Sequence, residues 1–93
     1  MGSGELNLED VITSKGRFKI LKLLAEVGEL NITEITRKTN IAYTSAERHL
    51  TLLKMAGLVE EKVFGKKIRI FRFKDENRRC RLLKRFFEEC QSL

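Results

Sequence analysis

The side chains with chemistry to offer in this sequence are mainly cations, and they are unevenly placed. From Lys62 to Leu93 there are eleven Lys/Arg against four Asp/Glu, a surplus of +7; from Met1 to Glu61 there are eight against nine, a balance of −1. Lys62, Lys66, Lys67 and Arg69 gather around Gly65. Flexible cations grouped in this way neutralise phosphates and release counterions, although lysines on a strand edge also discourage strand-to-strand aggregation. Upstream, Arg48 can donate two bonds to a guanine edge, and Glu47 can either accept from cytosine N4 or pair with a neighbour. Thr44 and Ser45 suit phosphate contact near a helix N-terminus, and Thr51 shares their outward face. Tyr43 can bond a phosphate, stack on a sugar or staple the local turn.

The remaining reactive types do not assemble into a catalytic or metal centre. The single histidine, His49, falls on the apolar side of its helical wheel, where a packed, hydrogen-bonded ring is expected rather than a ligand or catalyst. Cys80 and Cys90 lack the close pairing of a structural zinc site, and one distant histidine cannot complete it. There is no Gly-rich phosphate loop, nucleophile elbow or His–carboxylate pair, so no enzyme activity, cofactor or metal is expected.

The elements that must carry these residues are marked by periodicity and caps, since the chain has no proline. Ser14 to Val27 reads as an amphipathic helix with Ile20, Leu23, Leu24 and Val27 on one face and Leu21 nearby, ended by Gly28. Leu6, Leu8, Val11 and Ile12 suggest a short helical turn before it. Leu30-Asn31-Ile32 allows a minimal strand. Thr33 is placed to cap a helix running to about Thr39, and Asn40 tolerates the left-handed conformation of a sharp turn. The next helix runs from about Tyr43 to Ala56, with Ala46, His49, Leu50, Leu53 and Ala56 inward. After Gly57 the period changes to that of strands, Leu58 to Phe64 and Ile68 to Lys74. The second alternates imperfectly: Phe71 and Phe73 share one face, whereas Ile68 and Ile70 fall on the face of Arg72.

Asp75 is placed to cap a final helix from about Glu76 to Ser92. Its apolar stripe, Cys80, Leu82, Leu83, Phe86, Phe87 and Cys90, is broader than one small domain needs. Cys80, Leu83, Phe86, Phe87 and Cys90 are therefore expected to pack against a second copy of the chain. Within one helix the two cysteines lie about 15 Å apart along the axis, too far for a disulfide, but an antiparallel pair of helices could bring Cys80 to the partner's Cys90.

At this point the sequence resembles a known family. Asn31-Ile-Thr-Glu-Ile-Thr-Arg-Lys-Thr-Asn-Ile-Ala-Tyr-Thr-Ser-Ala-Glu-Arg-His-Leu50 is similar to the helix-turn-helix of winged-helix regulators of the ArsR and MarR type. Leu53-Lys-Met-Ala-Gly-Leu-Val-Glu60 resembles their passage from recognition helix to wing, and Ser14 to Leu24 their opening helix. The resemblance spans roughly residues 9 to 74. It implies a dimeric transcriptional regulator with Tyr43 to Met55 as its recognition helix. Metal-sensing ArsR members carry Cys-x-Cys in that helix; Ala42 to Lys54 contain no cysteine, which argues against sensing at that site.

The expected fold is α+β and mostly helical: a winged helix-turn-helix with a two- to three-stranded wing and a C-terminal dimerisation helix. Residues 1–7 are read as a flexible N-terminus opening on Met1-Gly2-Ser3-Gly4, 8–75 as the DNA-binding domain and 76–93 as the dimerisation helix. No apolar run of about 18 residues is present to span a membrane, and the cytoplasm is the default compartment. The expected partner is double-stranded DNA, bound sequence-specifically by a homodimer. The alternatives are an architectural chromatin protein with little sequence preference and a winged-helix interaction module of the transcription machinery.

Overall fold

A computed structural model describes residues 7–92. Among them α1 (Leu8–Thr13), α2 (Lys15–Val27), β1 (Glu29–Asn31), α3 (Ile32–Thr39), α4 (Tyr43–Met55), β2 (Val59–Phe64), β3 (Ile68–Phe73) and α5 (Arg78–Ser92) follow in order. The strands form an antiparallel sheet of order β1–β3–β2. Residues 1–6 of the expected flexible segment lie outside the described residues. Asn7, the last of that segment, caps α1: its Oδ1 accepts from Asp10 N at 2.9 Å, and its own N–H donates to Asp10 Oδ2 at 3.3 Å. This reciprocal pair satisfies two donors that a helix start leaves orphaned.

α2 is the hub of the core, touching α1, α3, α4, α5, β1 and β3. Enclosure on so many sides rotates its buried face from the one expected. Ile20, Leu21, Leu24 and Ala25 are buried, while Val27 is exposed and Leu23 half-buried. Gly28, at φ 96°, ends the helix with its N–H donating to Leu24 O at 2.8 Å. That conformation is nearly closed to residues with a Cβ.

Two caps differ from their sequence assignments. α3 is capped by Asn31, whose Oδ1 accepts from Glu34 N at 2.8 Å, not by Thr33. Asn31 also ends β1, opposite Ile70 of β3, so strand and helix meet with no loop between them. α5 begins at Arg78, and the cap is Asn77 rather than Asp75: Asn77 Oδ1 accepts from Arg79 N at 2.8 Å and Cys80 N at 3.2 Å.

The start of α5 also grips the exit of α4. Asn77 Nδ2 donates to Gly57 O at 3.0 Å, Arg79 Nη2 to Ala56 O at 2.6 Å and Cys80 Sγ to Leu58 O at 3.2 Å. Further along, Phe87 meets the edge of Phe18 with ring centroids 5.2 Å apart. Cys80, Leu83 and Phe87 thereby join the same core as Leu50, Leu53, Phe71 and Phe73. Among the described residues no helix is long and apolar enough to cross a membrane.

Candidate DNA-binding surface

The turn between α3 and α4 is held from both sides. Asn40 adopts φ 59° and ψ 35°, the left-handed conformation expected of it. The buried Thr39 hydroxyl donates to Ile35 O at 2.6 Å, and Lys19 of α2 donates to Thr39 O at 3.0 Å. α4 then packs through Ala46, Leu50, Leu53 and Ala56, all buried, as its periodicity requires. Its opposite face presents Thr44, Arg48 and Thr51 to solvent, with Tyr43 exposed and Ser45 half-buried at the N-terminal end. Ala42 supplies no side-chain cap, leaving the first-turn amides without that partner.

Arg48 is exposed, and among the described residues no hydrogen bond or ion pair holds its guanidinium. Glu47 is placed differently. Its Oε2 accepts from Arg69 Nη1 at 2.7 Å, and Arg69 Nε donates to Glu61 Oε2 at 2.7 Å. Arg69 Nη1 also reaches the Tyr43 hydroxyl at 3.2 Å. Lys54 closes the cluster with a 2.7 Å bond to Glu61 Oε1. Arg69, expected on DNA phosphates, thus spends its donors joining β3 to β2 and α4, and its guanidinium lies 5.5 Å from the Phe71 ring centre. The hydrogen bond from Arg69 holds the Glu61 carboxyl below the usual carboxylate range against the opposing effect of burial, and Glu61 in turn raises the Arg69 pKa.

Lys62, Lys66 and Lys67 are exposed along the hairpin, as their grouping suggested. The tip turns at Gly65, whose φ of 62° admits the tight reversal that sets Phe64 opposite Ile68. Sequence reasoning missed that the tip is also apolar: Val63, Phe64 and Ile68 are 59%, 53% and 51% exposed. The imperfect alternation of Ile68 and Ile70 was the available signal. It also missed the Arg72 cluster, in which the guanidinium bonds Glu60 at 2.9 Å and Glu76 at 2.9 Å and ties β2 to the approach to α5.

The residues expected to join two copies separate into two groups. Cys80, Leu83 and Phe87 are at most 2% exposed within the single chain and belong to its own core. Phe87 packs against Phe18 and Cys80 donates to Leu58 O, so within the single chain these side chains face its own core. Phe86 is 40% exposed and Cys90 half-buried. Phe86 meets the edge of Phe18 at 6.2 Å, and beside Phe18 an open apolar cleft of about 540 Å³ is lined by Ile12, Thr13, Lys15, Phe18 and Lys19. Ile12 and Leu82 are also exposed, so α1, α2 and α5 share an apolar surface that the sequence stripe on α5 alone did not delimit. Burial raises the Cys80 thiol pKa to about 11, and reaching a partner's Cys90 would require α5 to leave the core. Among the described residues, no group of three or more His, Cys, Asp or Glu side chains could hold a metal ion.

A helix-turn-helix whose second helix exposes an arginine, beside a basic β-hairpin braced to it, defines a winged helix-turn-helix DNA-binding domain. The family described as "Bacterial regulatory protein, arsR family" matches residues 14–61, just over half of the chain. The chain belongs to that family and is a DNA-binding regulator of transcription. Among solved structures it is similar to a possible transcriptional regulatory protein fragment (residues 1–100) from Mycobacterium bovis, at 28% identity and TM-score 0.70, covering 89% of this chain and 85% of that one. A solution structure of a Mycobacterium bovis homodimeric winged helix-turn-helix DNA-binding domain gives 27% identity and TM-score 0.70 over 90% and 74%. The AntR antimony-specific transcriptional repressor shares the fold at 20% identity and TM-score 0.71 over 92% and 78%. A comparison with curated proteins gave no significant match.

Proposed function

We propose that this regulator binds double-stranded DNA sequence-specifically as a homodimer, with α4 in the major groove and the β2–β3 wing on the adjacent backbone or minor groove. The observation that carries this reading is the brace of Arg69 to Glu47 and Glu61, which fixes the exposed face of α4 and the lysines of the wing as one surface. Arg48 reads base edges, assisted by Thr51. Thr44, Ser45 and Tyr43 contact phosphate at the α4 N-terminus, where positive helix-dipole charge and orphan amides favour anions. Lys62, Lys66 and Lys67 neutralise backbone charge. Glu47 and Arg69 act as positioning residues that hold wing and helix in register rather than as base readers.

The homodimer is supported by the exposed Ile12, Leu82 and Phe86 and the half-buried Phe18 beside them; of the residues expected from the sequence to join two copies, only Phe86 belongs to this surface. The Mycobacterium bovis domain is described as homodimeric, and it aligns over most of this chain. No catalytic role is proposed, and the cytoplasm is the compartment this reading proposes. Sedimentation equilibrium and competition between unrelated duplexes at fixed salt test the reading together. The expected result is a dimer whose affinity depends on duplex sequence. A monomer at micromolar concentration contradicts the dimer, and equal affinity for every duplex contradicts sequence specificity.

A further inference from the structure

The wing ends in apolar side chains that nothing else in the described chain covers. Phe64 and Ile68 face each other across the hairpin as the last registered pair before the turn, and each leaves about half its surface in water. Lys62 shares their face, Lys66 and Lys67 form the turn with Gly65, and no acidic residue occurs from Lys62 to Ile68. An apolar cross-strand pair stabilises a hairpin, but a pair so exposed at a strand end also invites aggregation, which charged or polar residues would avoid. The surrounding cations select an anionic partner, and the Arg69 brace makes the tip continuous with the exposed face of α4. An apolar tip within a cationic collar suits a minor groove: the lysines neutralise phosphates on both sides while the ring presses against or between base steps.

We propose that Phe64, backed by Ile68, is an apolar wedge that enters the minor groove of bound DNA and bends the duplex. The inference rests on the DNA-binding reading above and adds a contact that cations alone do not make. Partial unstacking of a base step kinks DNA by about 20–90° toward the major groove and is cheapest at flexible pyrimidine–purine steps. The wedge therefore favours sites with such a step beneath each wing, a preference read through deformability rather than hydrogen bonds.

The chain contains no tryptophan, so Phe64→Trp places a single reporter at the tip. The probe is a 30-base-pair A·T-rich duplex with a TpA step near each end and fluorophores at both termini, used at about 50 mM salt. Anisotropy reports binding, energy transfer between the ends reports bending, and tryptophan emission reports insertion. The expected result is binding with quenched tryptophan emission and shortened end-to-end distance. Phe64→Thr/Ile68→Thr, which keeps strand propensity and every charge, should bind about tenfold more weakly with an unchanged salt slope and a straight duplex. Binding with unquenched emission, or a double variant that bends DNA as the parent does, overturns the wedge while leaving DNA binding intact. No binding by any form overturns both readings. Quenching by anionic phosphatidylserine vesicles but not by the duplex assigns the tip to a membrane surface and likewise overturns the wedge.

Discussion

Arg69 Nη1 lies 2.7 Å from Glu47 Oε2, joining β3 of the wing to the DNA-facing helix across 22 positions of sequence. The same guanidinium holds Glu61 on β2, and that carboxylate takes a second bond from Lys54 near the end of α4. The wing is thus cross-braced to the helix at two heights. Both carboxylates are paired with Arg69, while Arg48 and the three wing lysines stay exposed on the same surface.

The brace should be measurable as coupling. In a double-mutant cycle of Glu47→Ala and Arg69→Ala, chemical denaturation is expected to give an interaction of about 0.5–1 kcal/mol, the modest value of a partly solvated pair. Each single variant should also weaken duplex binding, because either one frees the wing. If Glu47 instead read a base, Glu47→Ala would change sequence preference and Arg69→Ala would not.

Arg48 and Lys66 should separate recognition from attraction. Arg48→Ala is expected to cost about 1–3 kcal/mol on the preferred duplex and to relax preference at one base pair. Lys66→Ala should weaken preferred and unrelated duplexes alike and lower the salt slope by about one. Titrations of both variants on two duplexes at several salt concentrations check this directly.

The packing of α2 against α4 carries a steric expectation. A Cβ on Gly16 would lie 2.5 Å from His49 Nε2, a contact that forces the ring to move. Gly→Ala ordinarily stabilises a helix by up to about 1 kcal/mol. Here Gly16→Ala is expected to destabilise by about 1–3 kcal/mol, the usual cost of overpacking. In a His49→Ala background the sign should reverse, as thermal or urea unfolding of the four proteins would show.

His49 also gives stability a pH dependence. Its Nδ1 is buried with no hydrogen-bond partner among the described residues. Desolvation first, then Arg17 and Arg48, lower its pKa from the ordinary value near 6.5. Below pH about 6.5 the unfolded chain therefore binds more protons than the folded one at this site. The contribution of neutral His49 is fully present above that pH and is lost as pH falls toward the lowered native value. Urea midpoints at pH 7.5 and 5.5 should fall more for the parent than for His49→Gln; an equal fall assigns the effect to other groups.

Those features legible in the sequence were local ones. Asn40 announced the turn because few other residues tolerate its conformation, and Ala46, Leu50 and Leu53 announced the buried face of α4 by spacing alone. The caps were misassigned where a non-local partner decided them. Asn31 caps α3 because pairing with Ile70 ends β1 there, and Asn77 caps α5 because its amide also holds Gly57. Arg69, Glu47 and Glu61 are far apart in sequence, and nothing in their neighbours shows that they meet. The breadth of the stripe on α5 was legible, but not that Phe18 takes Phe87 while Phe86 stays half-open.

Sequence-specific recognition by two copies of α4 is tested most directly by selecting bound sequences from a random duplex pool with the intact protein. The expected outcome is an enriched inverted repeat whose half-sites lie about 10–10.5 base pairs apart centre to centre, or a multiple of that spacing, and whose preference at one position in each half weakens with Arg48→Ala. A pool that remains random, or an enriched site without two-fold symmetry that is indifferent to Arg48, would contradict the account.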